Sequence, residues 1–202
     1  MAPHQQARYP LAAMLDGSQL PEIRSDRARL RWLDASDAPA VFGIFSNPEV
    51  VQYWSTLPME SEAEAQALIA SVHKHFADHT LYQWGVTAAD KDEVIGTLTL
   101  ASLDAQNRRA ELGFALARSA WGQGIMRSII PAALDFAFGA LNLMRVEADV
   151  DPNNTRSLGL LRELGFEREG LLRERWRVGG GAQDSVMLGL LRREWRAVER
   201  TD

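Results

Sequence analysis

Two glycines one residue apart constrain this chain more than any other feature. In Trp121-Gly122-Gln123-Gly124-Ile125 they stand between an alternating run that ends at Leu116 and an apolar run of helical period that reaches Phe138. A strand that turns into a helix in this way presents the first backbone N–H groups of the helix without internal acceptors, where the helix dipole favours an anion. Glycines at such a junction let phosphate oxygens approach the backbone closely, and Gln123 offers a side-chain amide beside them. Two other phosphate loops are excluded. Arg127 occupies the place of the third glycine in a dinucleotide fingerprint, and no Lys-Ser or Lys-Thr pair follows as a nucleoside-triphosphate loop requires. An anion cradle and a plain Gly-rich turn remain open on this segment alone.

The rest of the chain reads as alternating sheet and helix. Residues 1–25 carry Pro3, Pro10 and Pro21 without a sustained period, so they are expected to form a flexible N-terminal arm ahead of one domain over 26–197. Arg29 to Leu33 alternates like a strand, and Asp34-Ala35-Ser36-Asp37 supplies caps for a helix through Val41, Ile44 and Phe45. Ser61 and Glu64 have capping-box spacing before the stripe Ala65, Leu68, Ile69, Val72 and Phe76. Three strand-like runs, 81–88, 94–103 and 109–116, are separated by short polar turns and predict an antiparallel meander. A helix over 124–138, with Pro131 inside it, a strand over 143–150, a helix over 155–164 and a hairpin turning at Gly179-Gly180-Gly181 complete the order. Gly165 is placed for a left-handed C-terminal cap.

A second motif lies about thirty residues beyond the glycines. Asn153-Asn154-Thr155-Arg156-Ser157 opens the 155–164 helix, and Leu161-Arg162-Glu163-Leu164-Gly165-Phe166-Glu167-Arg168-Glu169-Gly170 follows it. An Asn there is adequately explained as a helix cap. Together, in this order and at this distance, the two segments resemble the cofactor-binding core of the GNAT superfamily of N-acetyltransferases. They look most like its branch that acetylates ribosomal-protein N-termini.

The resemblance implies an α/β (α+β) fold with a mixed, mostly antiparallel central sheet flanked by helices, in the order β-α-α-β-β-β-α-β-α-β-β. It implies acetyl-CoA as cosubstrate without a metal. The pyrophosphate loop would be Gly122, Gln123, Gly124, Ile125, Met126 and Arg127, edged by Trp121. The family often has Arg or Gln where Trp121 stands, and prefers Gly or Ala where Met126 stands. Asn154 would touch the pantetheine arm and Ser157 would protonate the leaving thiolate. Glu111, on the strand leading into the loop, is the first candidate for assisting amine deprotonation; its alternative is an exposed strand glutamate paired with Arg108 or Arg109. Glu174 is the second candidate, its alternative being a salt-bridged face formed with its arginine neighbours. The backbone N–H of Leu116 is the expected oxyanion donor, and Tyr53 and Trp54 are expected either to line the acceptor groove or to pack in the core.

Composition narrows the partners. The chain has no cysteine, which removes a cysteine nucleophile and an acetyl-cysteine intermediate, and leaves direct transfer in a ternary complex as the simplest route. A net charge of −5 gives no nucleic-acid surface, and no apolar run approaches a membrane span or a secretory signal, so a cytoplasmic location is the expectation. His73, His75 and His79 fall near one another on a helix without an HExxH pattern, and read as a solvated face rather than a metal site. The expected partners are acetyl-CoA and a primary amine, foremost a protein N-terminus, with the protein a monomer or homodimer. A small amine acceptor is the enzymatic alternative. A non-turning-over acyl-CoA-binding or protein-binding member is the other, suggested by Met126, Pro131 and the lack of Glu at Trp176.

Overall fold

The computed structural model describes residues 18–198, with side chains through Trp195. Strands β1 (Ile23–Arg24) and β2 (Ala28–Arg31) lead to α1 (Ala38–Phe45), the single turn α2 (Pro48–Val51) and α3 (Glu62–Ala77). Then come β3 (Tyr82–Ala88), β4 (Val94–Asp104), β5 (Arg109–Leu116), α4 (Ile125–Phe138), β6 (Arg145–Val150) and α5 (Thr155–Glu163). The hairpin β7 (Glu167–Val178) and β8 (Gly181–Leu191) is followed by α6 (Arg192–Val198). The strands form one sheet in the order β1-β2-β3-β4-β5-β6-β8-β7. Every pairing is antiparallel except β5 with β6. This is the mixed, mostly antiparallel α/β architecture expected, extended by β1, α2 and α6.

Period-2 alternation puts apolar residues on both sheet faces, and each face has its own core. Leu30, Tyr82, Trp84, Leu98 and Leu100 meet the stripe Ile129, Ile130 and Leu134 of α4 and Leu161 of α5 in the larger core. Leu33, Val94 and Ala115 meet Val41 and Ile44 of α1 and Ile69 of α3 in the smaller one. Burial at this level, about 1.5–3 kcal/mol per large apolar side chain, is what holds the layers together.

Three local expectations need correction. The N-terminal arm was drawn too long: Leu20 is 5% exposed in the larger core, Pro21 O accepts the Trp84 indole N–H at 2.9 Å, and Ile23 pairs with Leu30. A two-residue strand beside a proline has no period to read. Residues 1–17 lie outside the described residues. The capping box at Ser61 does not form either, because the Ser61 hydroxyl donates to Glu64 Oε1 and that carboxylate instead accepts the Glu60 N–H at 3.1 Å. The histidines are also not simply solvated: His73 Nε2 lies 2.8 Å from Leu33 O with its ring stacked on Trp32, and His79 Nδ1 lies 3.1 Å from the Tyr82 hydroxyl. Among the described residues no group of three or more His, Cys, Asp or Glu is arranged to hold a metal ion.

The cap at Gly165 forms as the sequence indicates. Its φ is +89°, Phe166 N donates to Leu161 O at 3.0 Å, and Gly165 N donates to Arg162 O at 3.1 Å. These are the two bonds of a Schellman motif. A Cβ at Gly165 would meet Leu190 Cδ1 at 3.6 Å, an ordinary contact, so only the backbone opposes a side chain. Gly165→Ala is therefore expected to cost about 1 kcal/mol. In thermal unfolding that is a Tm lower by about 2–4 °C for a chain of this size.

Candidate active site

The site begins where two strands part. β5 and β6 pair from Arg109↔Arg145 to Glu111↔Glu147 and no further, though both strands continue. On the other side of β5, Ala117 N donates to Ile95 O at 2.8 Å, and an even register runs back from there through Leu116↔Gly96 and Ala115↔Thr97. In an antiparallel ladder this alternation directs residues 117, 115 and 113 at β4, and turns the N–H groups of Phe114 and Leu116 into the gap. The Leu116 carbonyl accepts the Trp121 indole N–H at 2.9 Å. Gly96 permits the closeness of β4 and β5 here, since a Cβ on it would stand 2.4 Å from Ala115 O.

The N-terminal turns of α4 and α5 both border a cavity of about 760 Å³ at this gap. Gly122 and Gly124 hold φ of +75° and +73°, which side-chain-bearing residues rarely adopt, and Gly124 is the N-cap of α4. A Cβ at Gly122 would meet nothing within 4 Å, and at Gly124 only Arg27 Cδ at 4.0 Å. The space in front of the loop is therefore open to a ligand, and its chemistry suits a pyrophosphate. Ile125 and Met126 border the cavity while lying buried in the larger core, Met126 at 5% exposed. Arg127 borders it too, and ties α4 to α5 through Glu163 at 3.2 Å. Gln123 departs from expectation, because its amide donates to Ser119 O at 2.8 Å and it does not line the cavity.

Asn154 Oδ1 accepts the Ser157 N–H at 3.2 Å, so the side chain does cap α5. Ser157 is half-buried and borders both this cavity and a smaller one of about 180 Å³. Tyr53, Trp54, Phe114 and Asn154 are shared in the same way, which makes a common wall. Tyr53 and Trp54 thus face the cavities, with Trp54 also packed edge-on against Phe45.

The two cavities carry opposite charge. Arg118, Arg127 and Arg156 line the larger against a single acid among the described residues, Glu49, and the guanidinium groups of Arg118 and Arg156 each stand over the Trp121 ring, at 4.8 and 5.3 Å from its centre. Glu111, Asp149, Asp151 and Asp184 line the smaller, and among the described residues no Lys, Arg or His does. Glu111 accepts no hydrogen bond from the described residues. Burial first, then the charge of Asp149, pushes its carboxyl above the ordinary carboxylate range, against the pull of Arg175.

Glu174 is not part of this wall. It has φ of +52° inside a bulge of β7, its exposed carboxylate pairs with Arg177 at 3.2 Å, and it borders neither cavity. The bulge instead brings Arg175 and Trp176 to Asp149 Oδ2, at 2.6 and 3.2 Å. Sequence reasoning missed Asp149, Asp184, Ser185, Arg118 and Arg156. The alternation Arg145-Val146-Glu147-Ala148-Asp149-Val150 was a usable signal for the first, because it places Asp149 on the face of Glu147.

Comparisons with known proteins give the family. Residues 27–167 match the family described as acetyltransferase (GNAT) domain. The uncharacterized N-acetyltransferase p20 of Bacillus licheniformis is 34% identical over 86% of this chain and 97% of its own length. The [ribosomal protein uS5]-alanine N-acetyltransferase of Escherichia coli is 25% identical over 88% of this chain and 95% of its own. Among solved structures, spermidine N-acetyltransferase from Vibrio cholerae in complex with CoA and spermine is 30% identical, with a TM-score of 0.75 over 84% of this chain and 98% of that one. The chain belongs to the GNAT acetyltransferase family and is an acetyl-CoA-dependent N-acetyltransferase.

Proposed function

We propose that the larger cavity takes acetyl-CoA, with its pyrophosphate at the α4 N-terminus and its thioester at the common wall, and that the smaller takes a primary amine. The observation that supports this is the common wall between a cavity bordered by three arginines and one bordered by four carboxylates. The amine nitrogen gives up a proton, through water, to Glu111. Its lone pair attacks the thioester carbon, and the oxyanion that forms is met by the N–H groups of Phe114 and Leu116. The C–S bond then breaks, the thiolate takes a proton from Ser157, and the second proton of the attacking nitrogen passes through water to the serine, leaving a neutral amide and a thiol. A thiol with a pKa near 8.5 is already a fair leaving group, so the serine contributes less than the base.

The acceptor this reading favours is the N-terminal amine of a protein. With a pKa near 8, about a tenth of such amines are neutral at pH 7, against well under a thousandth for a lysine-like amine near 10.4. A lone carboxylate therefore suffices for the first. The exposed Leu171, Leu172 and Trp176 of β7 leave apolar surface for a peptide chain. A small polyamine is the second reading, favoured by the four carboxylates in the lining. Thiol release measured with N-terminal peptides and polyamines in competition separates them: a peptide that saturates and excludes polyamines supports the first, and the reverse order overturns it.

A further inference from the structure

We infer that Trp121 is a positioning residue for the transfer step: its indole N–H pins the Leu116 carbonyl and so fixes the backbone whose N–H meets the thioester oxygen. The inference rests on the acetyl-transfer reading above and adds to it the part that holds the oxyanion donor still.

The support starts with one peptide plane. That plane carries the Leu116 carbonyl at one end and the Ala117 N–H at the other. Ala117 N donates to Ile95 O at 2.8 Å, toward β4, and the Leu116 carbonyl accepts the Trp121 indole N–H at 2.9 Å. Both ends are therefore tied. The alternation that sends the Ala117 N–H to β4 turns the Leu116 carbonyl, with the Leu116 N–H, into the gap. In a continuous sheet β6 would supply the donor for that carbonyl, but its pairing with β5 ends at Glu111↔Glu147. The indole takes that donor's place. With one N–H and no acceptor, it satisfies the carbonyl without competing for the Leu116 N–H.

The turn after β5 sets the reach. Ala120 N donates to Ala117 O at 2.9 Å and Trp121 N to Arg118 O at 3.4 Å, so the chain folds back and residue 121 meets residue 116. The half-buried ring packs against the smaller core, with the Arg118 and Arg156 guanidinium groups over it. Arg156 precedes Ser157, and Gly122 follows Trp121. One side chain thus joins the end of β5, the loop at α4 and the start of α5. These are the places that the proposed reaction gives to the oxyanion, the pyrophosphate and the leaving sulfur.

Without the indole N–H, the Leu116 carbonyl loses its partner in a half-buried place and the plane keeps one of its two ties. An oxyanion donor acts only at the right distance, and its misplacement is felt in rate more than in binding.

The test uses the full chain with benzothienylalanine at position 121, where sulfur replaces the indole N–H and the ring keeps its size, and Trp121→Phe beside it. Acetyl-CoA affinity is read by calorimetry. The carbonyl stretch of bound acetyl-CoA, isotope-labelled at its carbonyl carbon, is read by difference infrared spectroscopy. The third readout is kcat with a polyamine or an N-terminal peptide, whichever releases more thiol. Both variants are expected to lower kcat by about tenfold to a hundredfold and to keep affinity within about threefold of wild type. They should also lose most of the downward shift that the Leu116 N–H gives the stretch in the wild type. An affinity that falls as far as kcat, with the shift intact, would make Trp121 a wall of the cofactor cavity and overturn the inference. A stretch and kcat unchanged by the isostere would overturn it as well. An unshifted stretch in the wild type would instead sink the Leu116 reading itself, and the role of Trp121 with it. Affinity and stretch need no acceptor, so they decide the matter even where no amine turns over.

Discussion

Gly124→Trp is expected to abolish acetyl-CoA binding in calorimetry, where the wild type should bind in the micromolar range, about −8 kcal/mol. Two effects combine. Gly124 sits at φ of +73° as the N-cap of α4, so any side chain costs about 1–2 kcal/mol in the backbone. The indole would also project into the open space in front of the loop, where a Cβ finds nothing closer than Arg27 Cδ at 4.0 Å. That space is what the phosphates need. Gly124→Ala separates the two effects, because it carries the same backbone strain with almost none of the occlusion. It is expected to weaken binding by no more than about tenfold, or 1.4 kcal/mol, with a Tm close to that of the Trp variant. Equal loss in both variants would assign the effect to helix geometry, and undiminished binding by the Trp variant would place the pyrophosphate elsewhere.

The sequence made this cradle legible because its parts are contiguous. Gly122, Gly124 and the α4 stripe follow one another along the chain, and a backbone cradle for phosphate needs no distant partner. The same holds for Gly165, whose role depends on one turn of helix. The acceptor end is built differently. Asp149, Asp184 and Ser185 come together only because β6 pairs with β8, and Arg175 reaches Asp149 only across a bulge that sets Leu172 opposite Ser185 but Trp176 opposite Gln183. No local pattern announces a bulge, which is why Glu174, two residues from Trp176, stands as the second candidate behind Glu111 in the sequence. Gln123 misled for a related reason. Its amide suits a phosphate, but a carbonyl four residues back, on Ser119, claims it.

Glu111→Gln is the second large effect, and it separates activity from stability. Loss of a general base is expected to lower kcat by about 10²–10³-fold, because the variant depends on amines that reach the site already neutral. The wild-type rate should show an acid limb centred above the ordinary carboxylate range, since Glu111 works only when ionised and its carboxyl is raised by burial and by Asp149. In the variant that limb disappears, and the rate should climb with the acceptor's own deprotonation. Stability moves the other way. A carboxyl whose folded pKa exceeds its unfolded one binds protons more tightly in the native state, so its favourable contribution is complete below the unfolded pKa and is lost as pH rises through the folded one. At neutral pH the wild type therefore carries an ionised, half-buried Glu111 at a cost that glutamine avoids. The variant should melt higher than wild type at pH 7, with the difference shrinking as pH falls into the acid range. A lower kcat without the stability gain would mean that Glu111 is better solvated than its place between Leu112 and the Asp149 wall indicates. A higher Tm with unchanged kcat would remove it from the proton path.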